Sequence, residues 1–250
     1  MRLCYLLCAV LLAGCATNPP PTEADRLLIF GASGRIGGAL VEEALLRGYQ
    51  VTGVTRDPTR LAGRWPQVQV ETGDILDRNR VTELAAQHDA VLVSIGGDPA
   101  PGQQPERYIA TTSVRSLLDV LEPQGSAGPR MLFVGNLYTL DVDDGKTLID
   151  LGRAAGHKFE VMFRSHQIAL DLLRASSINW TVATPPNGLR LEGRTGQVRW
   201  GTDQLLREAD GTPSTISPED FAYAVLEELE RGRYVRQRFT VARDTAAAGG

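Results

Sequence analysis

Short apolar runs alternate with longer amphipathic stretches along most of the chain. Residues 27–30 form an apolar run, residues 36–46 an amphipathic stretch, and residues 51–54 the next apolar run. This succession predicts strands that alternate with helices, and therefore βαβ units. A further strand is predicted at residues 90–95, and its continuous apolar run at residues 90–93 fits a strand covered on both faces, as parallel sheets require. The pattern predicts an α/β fold with a doubly wound, mainly parallel sheet.

The same pattern assigns the remaining elements. Further strands are predicted at residues 68–70, 131–134 and 180–183, and further helices at residues 81–86, 108–121 and 159–173. Ser217, followed by Pro218 and by acidic residues, predicts the start of a helix that runs to about residue 231. Residues 188–210 are rich in Gly, Arg and Thr, which is typical of loops and short strands.

Composition and charge agree with one globular domain and exclude some classes of function. Of the 250 residues, 42% are hydrophobic and 22% are charged, so the chain can bury a core and does not resemble a disordered protein. No internal repeat or linker divides it, which predicts a single domain over residues 26–243 and a frayed tail at residues 244–250. A formal net charge of −4 without a local basic patch argues against nucleic acid as a partner.

The first 25 residues differ in composition from the rest of the chain. Arg2 precedes an apolar run at residues 3–13, and a Leu-Ala-Gly-Cys sequence ends at Cys15. This stretch resembles a bacterial lipoprotein signal, in which residues 1–14 are removed and the cysteine receives a lipid. The run is too short to span a bilayer of about 30 Å as a helix. Residues 16–25 have no apolar period and include three consecutive prolines, which indicates an extended tether.

This resemblance implies a lipid anchor at Cys15, a tether that completes residues 15–25, and a location at a bacterial membrane, on its periplasmic or outer face. The alternative is a wrongly assigned start ahead of a cytoplasmic protein, and the sequence leaves both open. No cysteine follows Cys15, and His88 and His157 lack partners at the spacing of metal ligands. We therefore expect no metal site in the domain.

Three glycines separate the first predicted strand from the first predicted helix. Gly31, Gly34 and Gly37 follow a GxxGxxG spacing. A loop of this kind lets the backbone approach a pyrophosphate, whose anionic oxygens lie at the helix N-terminus. Strand, loop, helix and second strand occupy about 30 residues, as a dinucleotide-binding unit requires. The loop therefore predicts a Rossmann-type fold that binds a dinucleotide, against the alternative of a purely structural glycine turn.

The residue after the second predicted strand bears on the choice between NAD and NADP. Arg56 stands where NAD-binding proteins usually carry an acid for the ribose hydroxyls, and an arginine there can hold a 2′-phosphate. Arg35 and Arg60 can add positive charge, whereas Asp57 argues for NAD. NADP(H) is therefore the favoured cofactor, and NAD(H) is the less favoured one.

The glycine loop, the arginine after the second predicted strand and residues 173–186 together resemble the atypical short-chain dehydrogenase/reductases. The resemblance covers about residues 26–242. Within them, the chain is most similar to the NAD(P)H-binding NmrA-like group that includes biliverdin-IXβ and flavin reductases. The resemblance implies small C-terminal elements on the substrate side, and NADP(H) contacts at the carboxyl ends of the strands. The implied cofactor contacts are Gly31, Ser33, Gly34, Arg35, Ile36, Gly37, Arg56, Asp74, Ile75, Ser94, Ile95 and Gly96, with Pro185 and Pro186 beside the nicotinamide.

One catalytic feature of the wider family is missing. Short-chain dehydrogenases that reduce ketones use a Tyr followed four residues later by a Lys, because the developing alkoxide needs a positioned acid. The lysines are Lys146 and Lys158, and Val142 and Ala154 stand four residues before them. Acceptors that delocalise charge, such as a flavin, a quinone or a linear tetrapyrrole, need less acid catalysis.

The sequence therefore favours an NADPH-dependent reductase whose partner is a small hydride acceptor of that kind. A non-catalytic NADP(H)-binding or redox-sensing lipoprotein is the alternative. Asn136 and Tyr138, after the fifth predicted strand, are candidates to donate a hydrogen bond to the acceptor. His166 lies in the helix where the resembling reductases carry a histidine facing the cleft. Because it shares an apolar face with other residues, it is either a core histidine or an acid with a pKa near neutrality.

Overall fold

The computed structural model of the protein describes residues 26–143, 145–148, 150 and 157–244. The predicted signal peptide, Cys15, the tether and residues 245–250 of the predicted tail lie outside these ranges. Within them, no helix is both long and apolar enough to cross a membrane.

The described residues form ten strands and five α-helices. The strands are β1 Arg26–Phe30, β2 Gln50–Thr55, β3 Gln69–Thr72, β4 Ala90–Val93, β5 Arg130–Val134, β6 Asp141–Asp143, β7 Lys146–Thr147, β8 Trp180–Thr184, β9 Val198–Gly201 and β10 Gln237–Arg243. The helices are α1 Arg35–Leu46, α2 Arg78–Ala85, α3 Ile109–Leu121, α4 His157–Ala175 and α5 Pro218–Arg231.

Eight of these strands form one sheet in the order β3-β2-β1-β4-β5-β8-β10-β9. Neighbouring strands are parallel from β3 to β10, and only the edge strand β9 is antiparallel to its neighbour. The chain proceeds outward from β1 through β2 and β3, then returns to the other side of β1 and continues through β4, β5 and β8. This is the order of a Rossmann-type doubly wound sheet, and the predicted fold class is confirmed.

Both faces of the central strands of the sheet are buried. Leu28 and Phe30 of β1 join a core on the face covered by α2, α3 and α4. Leu27 and Ile29 join a second core under α1 and α5. Because successive side chains of one strand enter different cores, the strands read as continuous apolar runs rather than as an alternation of apolar and polar residues.

Helix α5 begins and ends on the signals that predicted it. The Ser217 hydroxyl accepts a hydrogen bond from the Asp220 amide at 3.0 Å, and Pro218 occupies the first helical position. Gly232 ends the helix in a left-handed conformation with φ 62°. The predicted bounds of this helix are confirmed.

The last strand, β10, is absent from the sequence prediction. Its apolar residues alternate with Arg238 and Thr240, and these polar residues are also buried. The Arg238 guanidinium donates to Asp203 Oδ1 at 2.7 Å and to the Thr139 carbonyl at 2.5 Å. These partners lie far away along the chain, so the local sequence does not reveal that the arginine is neutralised and buried.

Candidate functional site

A cleft of about 560 Å³ opens at the carboxyl ends of β1, β2, β3 and β4. The direction of winding reverses between β1 and β4, and open α/β sheets bind ligands at such a point. Most of the residues that the sequence predicts as cofactor contacts line this cleft. They are Gly31, Ser33, Gly34, Arg56, Asp74, Ile75, Ser94, Ile95 and Gly96.

The other predicted contacts lie outside the lining of this cleft. Arg35 is exposed and Ile36 is half-buried in the first turn of α1, and Gly37 is buried beneath them. Pro185 and Pro186 follow β8 and are both buried. The structure therefore brings the glycine loop together with the ends of the strands, and the two prolines are not among the residues that line the cleft.

Two glycines of the turn, Gly31 and Gly37, have no room for a side chain. Gly31 has φ +83°, and a Cβ atom there would lie 2.2 Å from the Ser94 carbonyl oxygen. A Cβ atom on Gly37 would lie 2.0 Å from the Gly31 carbonyl oxygen. The Gly34 amide donates to the Gly31 carbonyl at 2.9 Å and closes the turn. This close approach of turn, helix and β4 is the reason for glycine at these positions.

The N-terminus of α1 is not capped by a side chain. Gly34 is the N-cap residue, and the first turn contains no acidic residue. The first amides of a helix have no partner within the helix, and the helix dipole adds positive potential there. An anionic group in the cleft, such as a phosphate, can bind to these amides.

The end of the cleft after β2 is positively charged. Arg56 and Arg60 are exposed and line it. The neighbouring Asp57 carboxylate accepts hydrogen bonds from the Thr59 hydroxyl at 2.6 Å and from the Thr59 amide at 3.0 Å. These two hydrogen bonds lower the pKa of Asp57. Asp57 thus caps a 3₁₀ turn at Pro58–Arg60 through its Oδ1 atom.

The remaining walls come from loops after β3 and β4. The Ile75 carbonyl accepts a hydrogen bond from the Ser116 hydroxyl of α3 at 2.6 Å. The Tyr108 hydroxyl donates to the Gly97 carbonyl at 2.6 Å, and burial raises the pKa of this tyrosine. Gln103 and Tyr108 also line the cleft. The sequence does not predict them as site residues, because they lie in and directly after a long loop without a recognisable motif.

Asn136 and Tyr138, the residues predicted to donate a hydrogen bond to the hydride acceptor, lie in a tight turn after β5. The Asn136 side-chain oxygen accepts a hydrogen bond from the Tyr138 amide at 3.0 Å. The Tyr138 ring stacks on Phe163 of α4, with ring centres 3.7 Å apart. Asn136 therefore has a structural role in this turn, and Tyr138 lies between the end of β5 and α4.

The structure places His166 in the core. It is 9% exposed, it packs beside the ring of Phe133, and its Nδ1 atom is buried without a hydrogen-bond partner. Burial lowers the pKa of His166 to about 4. The expectation of an acid with a pKa near neutrality is corrected accordingly: the imidazole is neutral at pH 7, because nothing offsets the cost of burying its charge.

His88 has a structural environment as well. Its Nδ1 atom lies 2.6 Å from the Leu84 carbonyl, and its Nε2 atom lies 2.8 Å from the Thr52 hydroxyl. Across the described part of the chain, no three His, Cys, Asp or Glu side chains are grouped so that they could hold a metal ion.

Comparison with known proteins agrees with this geometry. Residues 31–231 match the model of a family described as NAD(P)H-binding. The chain belongs to this family. It is also 33% identical over 220 residues to the uncharacterized protein YwnB of Bacillus subtilis, covering 85% of this chain and 96% of that protein. A nicotinamide dinucleotide is therefore the cofactor class of the family, and the glycine turn lies at the start of the matched region.

Solved structures share the fold over nearly all of the described residues. A proposed exported protein of Burkholderia pseudomallei is 28% identical with a TM-score of 0.73, over 87% of this chain and 98% of that chain. A proposed epimerase of Bacteroides thetaiotaomicron is 28% identical with a TM-score of 0.74, over 88% and 98%. A proposed NADH-flavin reductase of Streptococcus pneumoniae, 24% identical with a TM-score of 0.74 over 88% and 100%, shows the same fold.

Proposed function

We propose that this protein is an NADPH-dependent reductase that passes a hydride to a flavin-, quinone- or tetrapyrrole-like acceptor. The observation that carries this proposal is the glycine turn beneath the uncapped N-terminus of α1, in a cleft where the winding of the sheet reverses. The family match supports a nicotinamide dinucleotide in that cleft.

The preference for NADPH is supported by the charges after β2. Arg56 and Arg60 present two guanidinium groups at the mouth of the cleft. The Asp57 carboxylate, which would favour the ribose hydroxyls of NAD, is engaged with Thr59. An arginine fork can bind a phosphate through two parallel hydrogen bonds, so a 2′-phosphate is the ligand that fits this end.

The chain supplies positioning rather than acid catalysis. When bound, the reduced nicotinamide supplies the hydride, and the acceptor takes a proton from water as it becomes reduced. The α1 amides hold the phosphates, and the Ile75 and Ile95 side chains provide apolar walls that exclude water. With no Tyr-x-x-x-Lys pair in the sequence and with a neutral His166, an acceptor that delocalises its added charge is the one this site can serve.

The activity is tested by following NADPH oxidation by the full chain in the presence of riboflavin, menadione or biliverdin, with a simple ketone as the control. We expect turnover with at least one delocalised acceptor and none with the ketone. Reduction of the ketone would contradict the mechanism. Binding of NADPH without turnover of any acceptor would instead support the alternative, a non-catalytic NADP(H)-binding or redox-sensing protein.

We also propose that the chain is anchored by a lipid on Cys15, at the periplasmic or outer face of a bacterial membrane. The Leu-Ala-Gly-Cys sequence supports this proposal, as does the likeness to a proposed exported protein. NADPH is mainly a cytoplasmic cofactor, so an NADPH-binding cleft favours the cytoplasm, whereas a lipid anchor favours the periplasmic or outer face of a membrane. A cytoplasmic protein with a wrongly assigned start is the competing proposal.

A further inference from the structure

The loop after β4 begins with four residues that line the cofactor cleft, Ser94, Ile95, Gly96 and Gly97. We call these four residues the cleft wall. Gly96 and Gly97 are exposed, neither has a positive φ, and a Cβ atom on either would have no neighbour within 4 Å among the described residues. Packing within the protein therefore does not require glycine at these two positions, in contrast to Gly31. A backbone without side chains lets a ligand approach closely.

Two hydrogen bonds hold the cleft wall. A pair of glycines is the most flexible backbone that a chain can contain, so a ligand that binds to a free pair must order it. The Ser94 amide donates to the Phe30 carbonyl at 3.0 Å, which fixes the start of the wall beside β1. The Tyr108 hydroxyl donates to the Gly97 carbonyl at 2.6 Å, which fixes its end. The two glycines are thus held between β1 and Tyr108.

Tyr108 is itself fixed by the core. It is 2% exposed and belongs to the core on the face covered by α2, α3 and α4. It is also the N-cap residue of α3, and its carbonyl accepts a hydrogen bond from the Thr112 amide at 3.1 Å. A phenylalanine ring would fill nearly the same space, so packing explains the ring and not the hydroxyl. The hydroxyl is the part of the side chain that is bonded to the cleft wall.

Resting on the proposed function, we propose that Tyr108 is a positioning residue for the nicotinamide dinucleotide, and that its hydroxyl holds the cleft wall in the conformation to which the nucleotide binds. The nucleotide then meets a wall that is already ordered, and binding does not include the entropic cost of ordering two glycines. The cleft wall follows β4, whereas Arg56 follows β2, so Tyr108 acts on a part of the site that NADPH and NADH share. It therefore raises the affinity for both nucleotides by the same factor.

The test compares Tyr108→Phe with Tyr49→Phe in the full chain, and calorimetry measures the affinity of each protein for NADPH and for NADH. Tyr49 is the matched control, because it is also buried and its hydroxyl lies 3.4 Å from Glu230 Oε1, at the amino edge of the sheet. We expect Tyr108→Phe to bind both nucleotides about tenfold more weakly, since ordering one backbone residue on binding costs a factor of about that size. Tyr49→Phe should bind both with wild-type affinity.

Urea denaturation separates this positioning role from a purely structural one. Gly97 is exposed, so water can replace the Tyr108 hydroxyl at its carbonyl. The urea midpoint of Tyr108→Phe should therefore stay close to that of the wild type while the affinity for the nucleotides falls. A lower midpoint with unchanged affinities would show that the hydroxyl only stabilises the fold, and would overturn the inference.

The remaining outcomes distinguish this inference from the proposed function. Wild-type affinity of Tyr108→Phe for both nucleotides would remove the positioning role and keep the cofactor site. A loss confined to NADPH would also overturn the inference, because the hydroxyl would then act at the 2′-phosphate. A wild-type protein that binds neither nucleotide would contradict the proposed function, and the role of Tyr108 would fall with it.

Discussion

At the residue scale, the proposed cofactor preference depends on the exposed guanidinium of Arg56, with Arg60 beside it. Arg56 lies at the mouth of the cleft, and the carboxylate beside it, Asp57, is engaged with Thr59. A 2′-phosphate would meet the positive charge of Arg56 and Arg60 at this position, and the Oδ1 atom of Asp57 is held by Thr59. The Arg56 charge stabilises a bound ribose hydroxyl much less than a bound phosphate, so it favours NADPH over NADH.

Arg56→Asp is therefore expected to weaken NADPH binding by about tenfold or more, while NADH binding changes little, because only NADPH loses a charge-assisted contact. Titration calorimetry with both nucleotides measures this difference. Arg107→Asp makes the same change of charge at an exposed position outside the cleft lining and serves as the control. Equal losses for NADPH and NADH would refute the role of Arg56 at the 2′-phosphate.

A second prediction concerns His166, whose pKa is lowered by burial to about 4. The unfolded chain binds a proton at this residue below about pH 6.5, whereas the folded protein does not bind one until about pH 4. Titration of His166 therefore does not change the free energy of unfolding above pH 6.5. It lowers that free energy by up to about 3 kcal/mol as the pH drops from 6.5 to 4.

Replacement by a residue that does not titrate, His166→Phe, should remove this part of the loss at acidic pH. Chemical denaturation at a series of pH values from 7 to 4 measures it. His88→Gln is the comparison, since the pKa of His88 is also lowered by burial but its ring nitrogens have hydrogen-bond partners. Parallel curves for the wild type and His166→Phe would show that His166 does not titrate as described.

At the scale of elements, the site is built by β1, the glycine turn and α1. The turn packs so closely against α1 that a Cβ atom on Gly37 would clash with the Gly31 carbonyl oxygen at 2.0 Å. At the next residue of the same helix, Gly38, a Cβ atom would lie 2.8 Å from the end of the exposed Arg64 side chain and at an ordinary contact distance of 3.5 Å from the Trp65 ring. A flexible exposed side chain can move, and the backbone of a turn cannot do so without opening the turn.

This difference gives a matched pair of variants. Gly37→Ala should lower the free energy of unfolding by about 1–3 kcal/mol and abolish NADPH binding, because the added methyl group displaces the turn from the helix N-terminus. Gly38→Ala should leave binding unchanged and keep or raise stability, since alanine favours a helix. Urea denaturation and calorimetry of both variants provide the measurement. Nucleotide binding by Gly37→Ala at wild-type affinity would contradict the assigned geometry.

The elements and sites that the sequence predicts are those with local signals. The glycine spacing is such a signal, as is the Ser217 cap of α5, and both are matched by the structure. Strand β10 was missed because Arg238 is neutralised by Asp203, a partner that only the fold brings near. Tyr108 was missed for the same reason, since a loop without a motif carries it to the cleft. Local chemistry predicts the cofactor loop, and long-range contacts determine the rest of the site.

At the scale of the whole molecule, two buried carboxylates connect the cofactor helix and α5 to the loop after β8. Glu43, near the end of α1, is buried and accepts hydrogen bonds from Arg47 at 2.8 Å and from Arg194 at 2.6 Å. Arg194 belongs to the loop after β8, and the Asp220 carboxylate of α5 accepts from the Thr195 and Gly196 amides of that loop. The loop is therefore hydrogen-bonded to both helices on the proposed substrate side.

The proposed anchor is also a property of the whole chain. Cys15→Ser should abolish incorporation of labelled fatty acid and shift the protein out of the membrane fraction, because lipid attachment requires the thiol. Metabolic labelling of cells that express each form measures this. Cys8→Ser, in the apolar run before the proposed cleavage site, is the matched control. Labelling that persists in Cys15→Ser would contradict attachment at Cys15, and a wild-type protein that takes up no label would support the cytoplasmic alternative.

The central claim, that the cleft binds a nicotinamide dinucleotide with preference for the phosphorylated form, is tested most directly by calorimetric titration of the full chain with NADPH and with NADH. We predict micromolar binding of NADPH, equivalent to roughly −8 kcal/mol, and weaker binding of NADH. An absence of binding for both nucleotides would contradict the account, and the glycine turn would then have only a structural role in this fold.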